Sequence, residues 1–380
     1  MINKIDSSLL HIVTDNVGGN DKIKCVVYVN NICDNVNNMV ENCEYYPFIN
    51  AVVCDVKNKD IIKLACNADV SYITSLTKVS SCVNVAKKII EVDNAKVEKN
   101  NFEYSIAVID TGIYPHLDFV FGKNNLLAFY DIVNNKTVPY DDNGHGTFVS
   151  GLIMSKGLVS GGKYAGIDPG ANLVAIKALD YNGETTSVNI LKAMQWVYDN
   201  KDKYNIKIVC MSFGSVVLEN NDPLVVGAEK LWDAGITVCC ACGNNGPESS
   251  SVKSPGSSSK VITVGAMDDH RVGDSFDKTN FKVADFSSRG PIFNRYKPDC
   301  IVSGVDVVSA CNFDLNKKFY SKMSGTSVST PIIAGVTSLI LKRNKFFKPN
   351  QIKKFITSNC NVITGDRNVE GFGWFNFKKI

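Results

Sequence analysis

Nowhere in the 380 residues do about 18 apolar residues run together, so the sequence offers no segment that would cross a bilayer as a helix. Charge of one sign is also missing: 41 Lys and Arg stand against 38 Asp and Glu, a formal balance of +3. There is no basic stripe and no block of like charge, which argues against nucleic acid as a partner. The pairs Lys87-Lys88 and Lys378-Lys379 read as solvated surface. The opening residues lack a secretory signal pattern, because the apolar stretch Leu9-Leu10-His11-Ile12-Val13 is short and contains a histidine. Histidine is scarce, with His11, His116, His145 and His270 making up all 4. A general base working near neutral pH therefore has few candidates. Cysteine is plentiful, but paired spacing is absent. The 13 cysteines are odd in number, which predicts mainly free thiols in a reducing cytoplasm. Cys239, Cys240 and Cys242 lie in the apolar run Ile236–Cys242 with no second CxxC or His pair nearby. They read as small core residues of a buried strand, Cys240 and Cys242 on one face and Cys239 on the other, and no metal site is expected.

What is present is enough apolar material, 44%, for a sizeable core, in a chain long enough for two domains. The first part reads as a small α+β unit: strands over Ile23–Asn30, Phe48–Val56 and Val70–Ile73, a short helix within Asn58–Ala68, and a polar connection over Asn31–Asn42. The stretch Ser80–Asn101 reads as a linker around the apolar patch Ile89-Ile90. From Tyr104 the pattern changes. Strands are expected at Tyr104–Ile109, Leu173–Ala178, Ile206–Met211, Ile236–Ala241 and Val261–Ala266, with helices at Val188–Tyr198, Pro223–Ala234 and Ser327–Leu341. Such alternation predicts an α/β fold with a mainly parallel sheet between helical layers. In these sheets reactive residues sit at the carboxyl ends of strands, which directs attention to Asp110.

Three short segments carry candidate chemistry. In Ala107-Val108-Ile109-Asp110-Thr111-Gly112 a strand delivers a carboxylate into a turn, where it can orient an imidazole. In Asn143-Gly144-His145-Gly146-Thr147 a histidine between two glycines stands at a helix start. In Ser324-Gly325-Thr326-Ser327-Val328-Ser329 small residues allow a sharp entry into a helix, placing Ser327 where free N–H groups favour a developing oxyanion. Each alone reads equally well as a turn aspartate, a capping-region histidine or an ordinary helix cap. His116, close after the Asp110 turn, reads as a turn or surface residue.

Together the segments run Asp, His, Ser, the order of the subtilisin triad. The DTG, GHGT and GTS segments resemble the three active-site signatures of the subtilase family, and Ala241-Cys242-Gly243-Asn244-Asn245-Gly246 resembles its oxyanion-hole segment. Tyr164–Pro169, Met211–Gly214 and Asp285–Pro291 are similar to the family as well, and the stretch from Asp222 through Asp299 most resembles the AprX-type intracellular subtilases of bacteria. Tyr46–Val52 and Asp69–Ile73 resemble the family's inhibitor-I9-like propeptide. Val328-Ser329 replaces the usual Met-Ala after the nucleophile, and Val302-Ser303-Gly304 replaces Ala-Pro-Gly; neither change removes a catalytic atom.

The resemblance implies a subtilisin-like three-layer catalytic domain over 83–380, preceded by a propeptide over 1–82 with its core at about 22–78. It implies a serine endopeptidase acting on polypeptides through Asp110, His145 and Ser327, with Asn244 in the oxyanion hole, and cutting and then being inhibited by its own propeptide. Ser212-Phe213-Gly214 and Ala241-Cys242-Gly243 would form the walls of the primary specificity pocket, with Lys253 near its base favouring an acidic or polar side chain. Tyr181–Glu184, including Asn182 and Gly183, would pair with substrate further upstream. The processing cut would fall at Cys82-Val83. No cofactor is implied; the loop Lys156–Lys163 lacks the asparagine-rich calcium loop of secreted subtilisins, so that site is not carried over. The competing expectations are a catalytically impaired subtilase acting as a scaffold or signalling protein, an esterase, and a metal-binding cysteine protein. The esterase is disfavoured because GxSxG is absent.

Overall fold

The computed structural model describes residues 4–6, 9, 10, 13, 20–30, 39–75, 78–81, 89–91, 104–120, 124–218, 221–270 and 276–377. Strands β1 (Lys22–Val29), β2 (Glu41–Tyr46), β3 (Ala51–Lys57) and β4 (Val70–Ser75) form an antiparallel sheet in the order β2-β3-β1-β4. Alternation sorts its residues. Cys25, Val27 and Val29 face Val52, Cys54 and Val56 in a small core closed by Ile61 and Leu64 of helix α1 (Ile61–Ala65) and by Leu9 and Val13. Val26, Tyr28, Ala51, Val53 and Tyr72 point the other way and join the core of the rest of the chain. A one-residue slip would exchange the two sets, so burial on both faces pins the register.

That second face rests on two helices, α3 (Ser187–Asn200) and α4 (Pro223–Asp233), which follow α2 (His145–Met154) along the chain. Phe48 lies 6.1 Å from the Tyr198 ring and against Gly227, where a Cβ would come within 3.4 Å of the Phe48 ring and 2.5 Å of Met194 Sδ. Lys192 and Glu44 pair at 3.2 Å at the rim.

The main sheet takes β6 (Ser105–Asp110), β7 (Leu126–Asp131), β8 (Asn172–Lys177), β10 (Ile206–Met211), β12 (Thr237–Ala241), β13 (Ile262–Asp268), β15 (Cys300–Ser303) and β19 (Trp374–Phe375) as parallel strands in the order β19-β15-β13-β12-β10-β6-β8-β7. The short strands β14 (Lys282–Val283) and β18 (Cys360–Asn361) add antiparallel to β13 and β19. Strands β6, β8 and β12 are buried along their whole length, as parallel strands covered on both faces must be. Helix α2 (His145–Met154) packs against α5 (Thr326–Arg343), and α5 lies across β10, β12, β13 and β15. The strand order turns at β6: β7 and β8 extend one way, β10 and its successors the other. Asp110 ends β6, so it sits in the crevice that such a switch opens.

Several readings of the sequence need correction. The connection expected over Asn31–Asn42 ends inside strand β2, and no strand is expected over Glu41–Tyr46; it is an edge strand whose residues, exposed except for Tyr46, carry little hydrophobic signal. The helix over 58–68 shortens to α1, with a 3-10 turn at Asn58–Asp60 before it. The linker expected from Ser80 begins later: Lys78–Ser81 forms strand β5, held between β9 (Glu184–Thr186) and β11 (Phe213–Ser215) in a separate antiparallel sheet. The core of the first unit also reaches back before residue 22, through Ile5, Leu9 and Val13. Among the described residues no helix is long and apolar enough to cross a membrane.

Candidate active site

Asp110 and His145 come together because two glycines permit it. A Cβ on Gly146 would lie 2.2 Å from the Gly112 carbonyl oxygen and 3.2 Å from Asp110 Cβ. Gly112, at φ +120°, would likewise strike the Tyr140 carbonyl at 2.2 Å. With those side chains absent, α2 starts directly over the turn that ends β6. His145 Nδ1 lies 2.6 Å from Asp110 Oδ1, both side chains 2% exposed or less. The same Oδ1 accepts the Thr111 N–H at 2.7 Å, which orients the carboxylate toward the ring. A buried carboxylate in this position holds the Nδ1–H tautomer, leaves Nε2 as the basic nitrogen and favours the imidazolium once a proton is taken up.

Two residues that sequence reading passed over hold the pair. Asp141 is buried; its Oδ1 accepts from Thr111 Oγ1 and Gly144 N, and its Oδ2 accepts both Thr147 N–H and Thr147 O–H. Thr111 Oγ1 in turn accepts the Gly146 N–H at 2.8 Å, so one carboxylate ties the aspartate turn to the histidine loop. Its place four residues before His145 was the available signal. Lys177, last residue of β8 and register partner of Asp110, is fully buried; its ammonium donates to Thr111 O at 2.7 Å, Leu179 O at 3.0 Å and Asp142. A lysine ending an apolar strand gave no hint of this network.

Ser327 is the second residue of α5 and 2% exposed. Asn244 lies on the turn after β12, and its Oδ1 accepts from both the N–H and the O–H of Thr326, at 2.8 and 3.0 Å. Thr326 Oγ1 also accepts the Gly243 N–H at 3.1 Å. These two bonds fix the Asn244 carboxamide, through its oxygen, at the start of α5. The Asp285–Pro291 segment braces the same turn, since Ser288 N–H donates to Gly243 O at 2.9 Å and Ser288 Oγ accepts the Asn245 N–H at 3.0 Å. Replacing Asn244 by alanine is expected to lower kcat on a peptide by about 10²–10³ with little change in KM, the magnitude measured for the asparagine of a subtilisin. A loss confined to KM would assign Asn244 to substrate binding instead.

The remaining candidates fall around β5. Strand β11 pairs Phe213 with Ser81 and Gly214 with Ser80, while β9 pairs Glu184 with Ser80 on the opposite side. Asn182 and Gly183 form the turn that leads into β9, Gly183 at φ +73° and Asn182 N–H on Asp180 Oδ1. Ser212 is buried between β10 and β11, one residue past Met211, which pairs with Ile109 beside Asp110. Cys82 and Val83 lie outside the described residues. Ala241 and Gly243 are buried at the end of β12; Cys242 directs its Sγ to Ser287 and Ser288, and burial pushes its thiol up to about 12. Cys239 and Cys240 are core residues of β12, and the eleven described cysteines are all free thiols. Lys253 is half-buried next to Gly214 and Gly243.

His116 corrects its surface reading. It is buried at 1%, its Nε2 lies 2.9 Å from Phe319 O, and Nδ1 accepts the Asp118 N–H, among the rings of Phe119, Phe319 and Tyr320. Desolvation lowers its pKa against the pull of Asp118. The Asp118 carboxylate beside the Lys156–Lys163 loop is engaged by Ser155, Tyr320 and Val159. Among the described residues no group of three or more His, Cys, Asp or Glu could hold a metal ion.

A model of the subtilase family matches residues 103–374. The chain is 38% identical over 349 residues to the serine protease AprX of Bacillus subtilis (strain 168), an alignment covering 82% of this chain and 77% of that one. It is 31% identical over 282 residues to the thermophilic serine proteinase of Bacillus sp. (strain AK1), covering 74% and 62%. To subtilisin DY of Bacillus licheniformis it is 28% identical over 274 residues, covering 71% and 88%. A family match that spans all three signature segments, on a parallel sheet with the aspartate at its switch point, places this chain in the subtilase family of serine peptidases.

Proposed function

We propose that this chain is a serine endopeptidase that attacks peptide carbonyls with Ser327 and carries its own inhibitory segment. The observation that carries the reading is the 2.6 Å contact of His145 Nδ1 with the buried Asp110 carboxylate at the end of β6, with Ser327 at the start of a helix that Thr326 ties to the turn after β12. His145 Nε2 takes the Ser327 proton as Oγ attacks, and Asp110 stabilises the imidazolium. The Asn244 NH2 and the Ser327 N–H receive the oxyanion, and water then releases the acyl group. Polypeptide binds by adding a strand between β9 and β11, the place β5 occupies.

That occupancy supports the inhibitory role of residues 1–82. Ser80 opposite Gly214 and Ser81 opposite Phe213 lead the chain toward Ser212, which supports a cut shortly after Ser81, at Cys82-Val83. The unbridged cysteines support a reducing, cytoplasmic setting.

Incubation of the purified protein with a serine-reactive phosphonate, followed by mass spectrometry, tests the assignment. One adduct is expected, on the peptide containing Ser327, and it should vanish after His145→Ala. An adduct on another serine, or none in a preparation that cleaves peptides, rules out Ser327 as the nucleophile.

A further inference from the structure

The segments Phe213–Ser215 and Ala241–Gly243 stand side by side, and residues 253–254 join them. Ser215 and Ser254 exchange N–H···O bonds of 2.9 and 3.0 Å, and the Lys253 N–H donates to Cys242 O at 2.8 Å. Two walls and a cross-piece thus form one hydrogen-bonded backbone slot. Its mouth lies near Ser327, because Gly243 N–H is bound by Thr326 Oγ1. Both walls carry glycine where they face the cross-piece. A Cβ on Gly214 would fall 2.7 Å from Lys253 Cβ, and one on Gly243 would fall 2.5 Å from Lys253 Cγ. The Lys253 stem therefore occupies the space that two missing side chains leave.

No carboxylate among the described residues pairs with the Lys253 ammonium. The buried Asp222, near Ser254 at the start of α4, is taken up by the N–H groups of Leu218, Leu224 and Val225. The Cys242 thiol turns away to Ser287 and Ser288. A half-buried lysine whose stem lies between two backbone walls, and whose ammonium has no carboxylate partner among the described residues, is complementary to an anion that arrives with the substrate.

We infer that Lys253 makes this slot a receptor for an acidic side chain, so that the peptidase cleaves after glutamate or aspartate in preference to uncharged residues. The inference rests on the peptidase reading above and names its substrate class. A carboxylate in the slot gains a charge-assisted bond and partners the ammonium; the isosteric amide does neither well, and a lysine side chain would place two cations together. The residue before the proposed processing cut is Cys82, which is uncharged. A cut there is intramolecular, and the high effective concentration offsets a poor fit.

The experiment uses internally quenched peptides that differ only in the residue before the scissile bond: Glu, Asp, Gln, Ala, Phe or Lys. Wild type, Lys253→Arg, Lys253→Met and Lys253→Glu are compared, with active sites counted by phosphonate titration so that any misfolded fraction drops out. In wild type kcat/KM for Glu should exceed that for Gln about tenfold or more. Lys253→Arg should keep the preference, Lys253→Met should bring the ratio to about one, and Lys253→Glu should turn it toward Lys. Equal Glu-to-Gln ratios in wild type and Lys253→Met overturn the inference while leaving the peptidase intact. Failure of titrated wild type to cleave any peptide or a denatured protein overturns the peptidase reading, and this inference with it.

Discussion

Ser327→Ala should lower kcat by about six orders of magnitude, the loss seen when the serine of another Asp-His-Ser triad is removed, and leave the fold intact. Both halves follow from position. Ser327 is buried at the first turn of α5, so removing one oxygen creates little empty volume and leaves the flanking Thr326 network in place. What disappears is the atom that would form the acyl bond. His145→Ala should cost about as much. Asp110→Asn should cost about 10⁴, because an amide opposite Nδ1 selects the wrong tautomer. The measurement is kcat on a quenched peptide beside the thermal midpoint of each variant. Wild-type turnover by Ser327→Ala would end the proposed mechanism; a collapsed midpoint would call instead for Ser327→Cys, whose thiol can be alkylated selectively if His145 activates it.

The second large effect is on the size of the chain. Wild type should lose its N-terminal segment after synthesis, whereas Ser327→Ala should stay full length. A cut at Cys82-Val83 removes 82 of 380 residues, about 9 of 41.5 kDa. The pairing of the preceding strand supports a cut in this region. Strand β5 is paired on both edges, to β11 and to β9, so its backbone is held extended as a substrate would be. Upstream, Phe48 against Gly227 and the Lys192–Glu44 pair anchor the small domain on α3 and α4, so cutting the chain need not release it. The fragment should therefore remain bound and inhibit until it is degraded. A denaturing gel and N-terminal sequencing read the outcome, the mature chain starting at Val83 or within a few residues. If both proteins remain full length while wild type cleaves added peptides, self-processing is excluded.

The parts of this protein that could be read along the chain are those in which neighbouring residues dictate backbone shape. An apolar strand ending in Asp110-Thr111-Gly112, a histidine between Gly144 and Gly146, and a run of small residues before Ser327 each specify a strand end or helix start within a few residues, and their order names the chemistry. The period of two in Lys22–Val29 and Ala51–Lys57 and the helical stripe of Ser187–Asn200 likewise declare themselves. What stayed hidden depends on partners remote in sequence. Lys78–Ser81 has no hydrophobic pattern and becomes a strand because β9 and β11 offer free edges on both sides of it. The network of Asp141 and Lys177 exists because parallel pairing sets Lys177 beside Asp110, and His116 is buried by rings contributed some two hundred residues later. Lys253 stands near the pocket base in the sequence only through the family resemblance; the room for its stem depends on Gly214 of β11 and Gly243 after β12, which only the fold brings together. Local geometry follows from sterics within a few residues, whereas a buried charge or an added strand takes its free energy from groups that only the closed fold brings within reach.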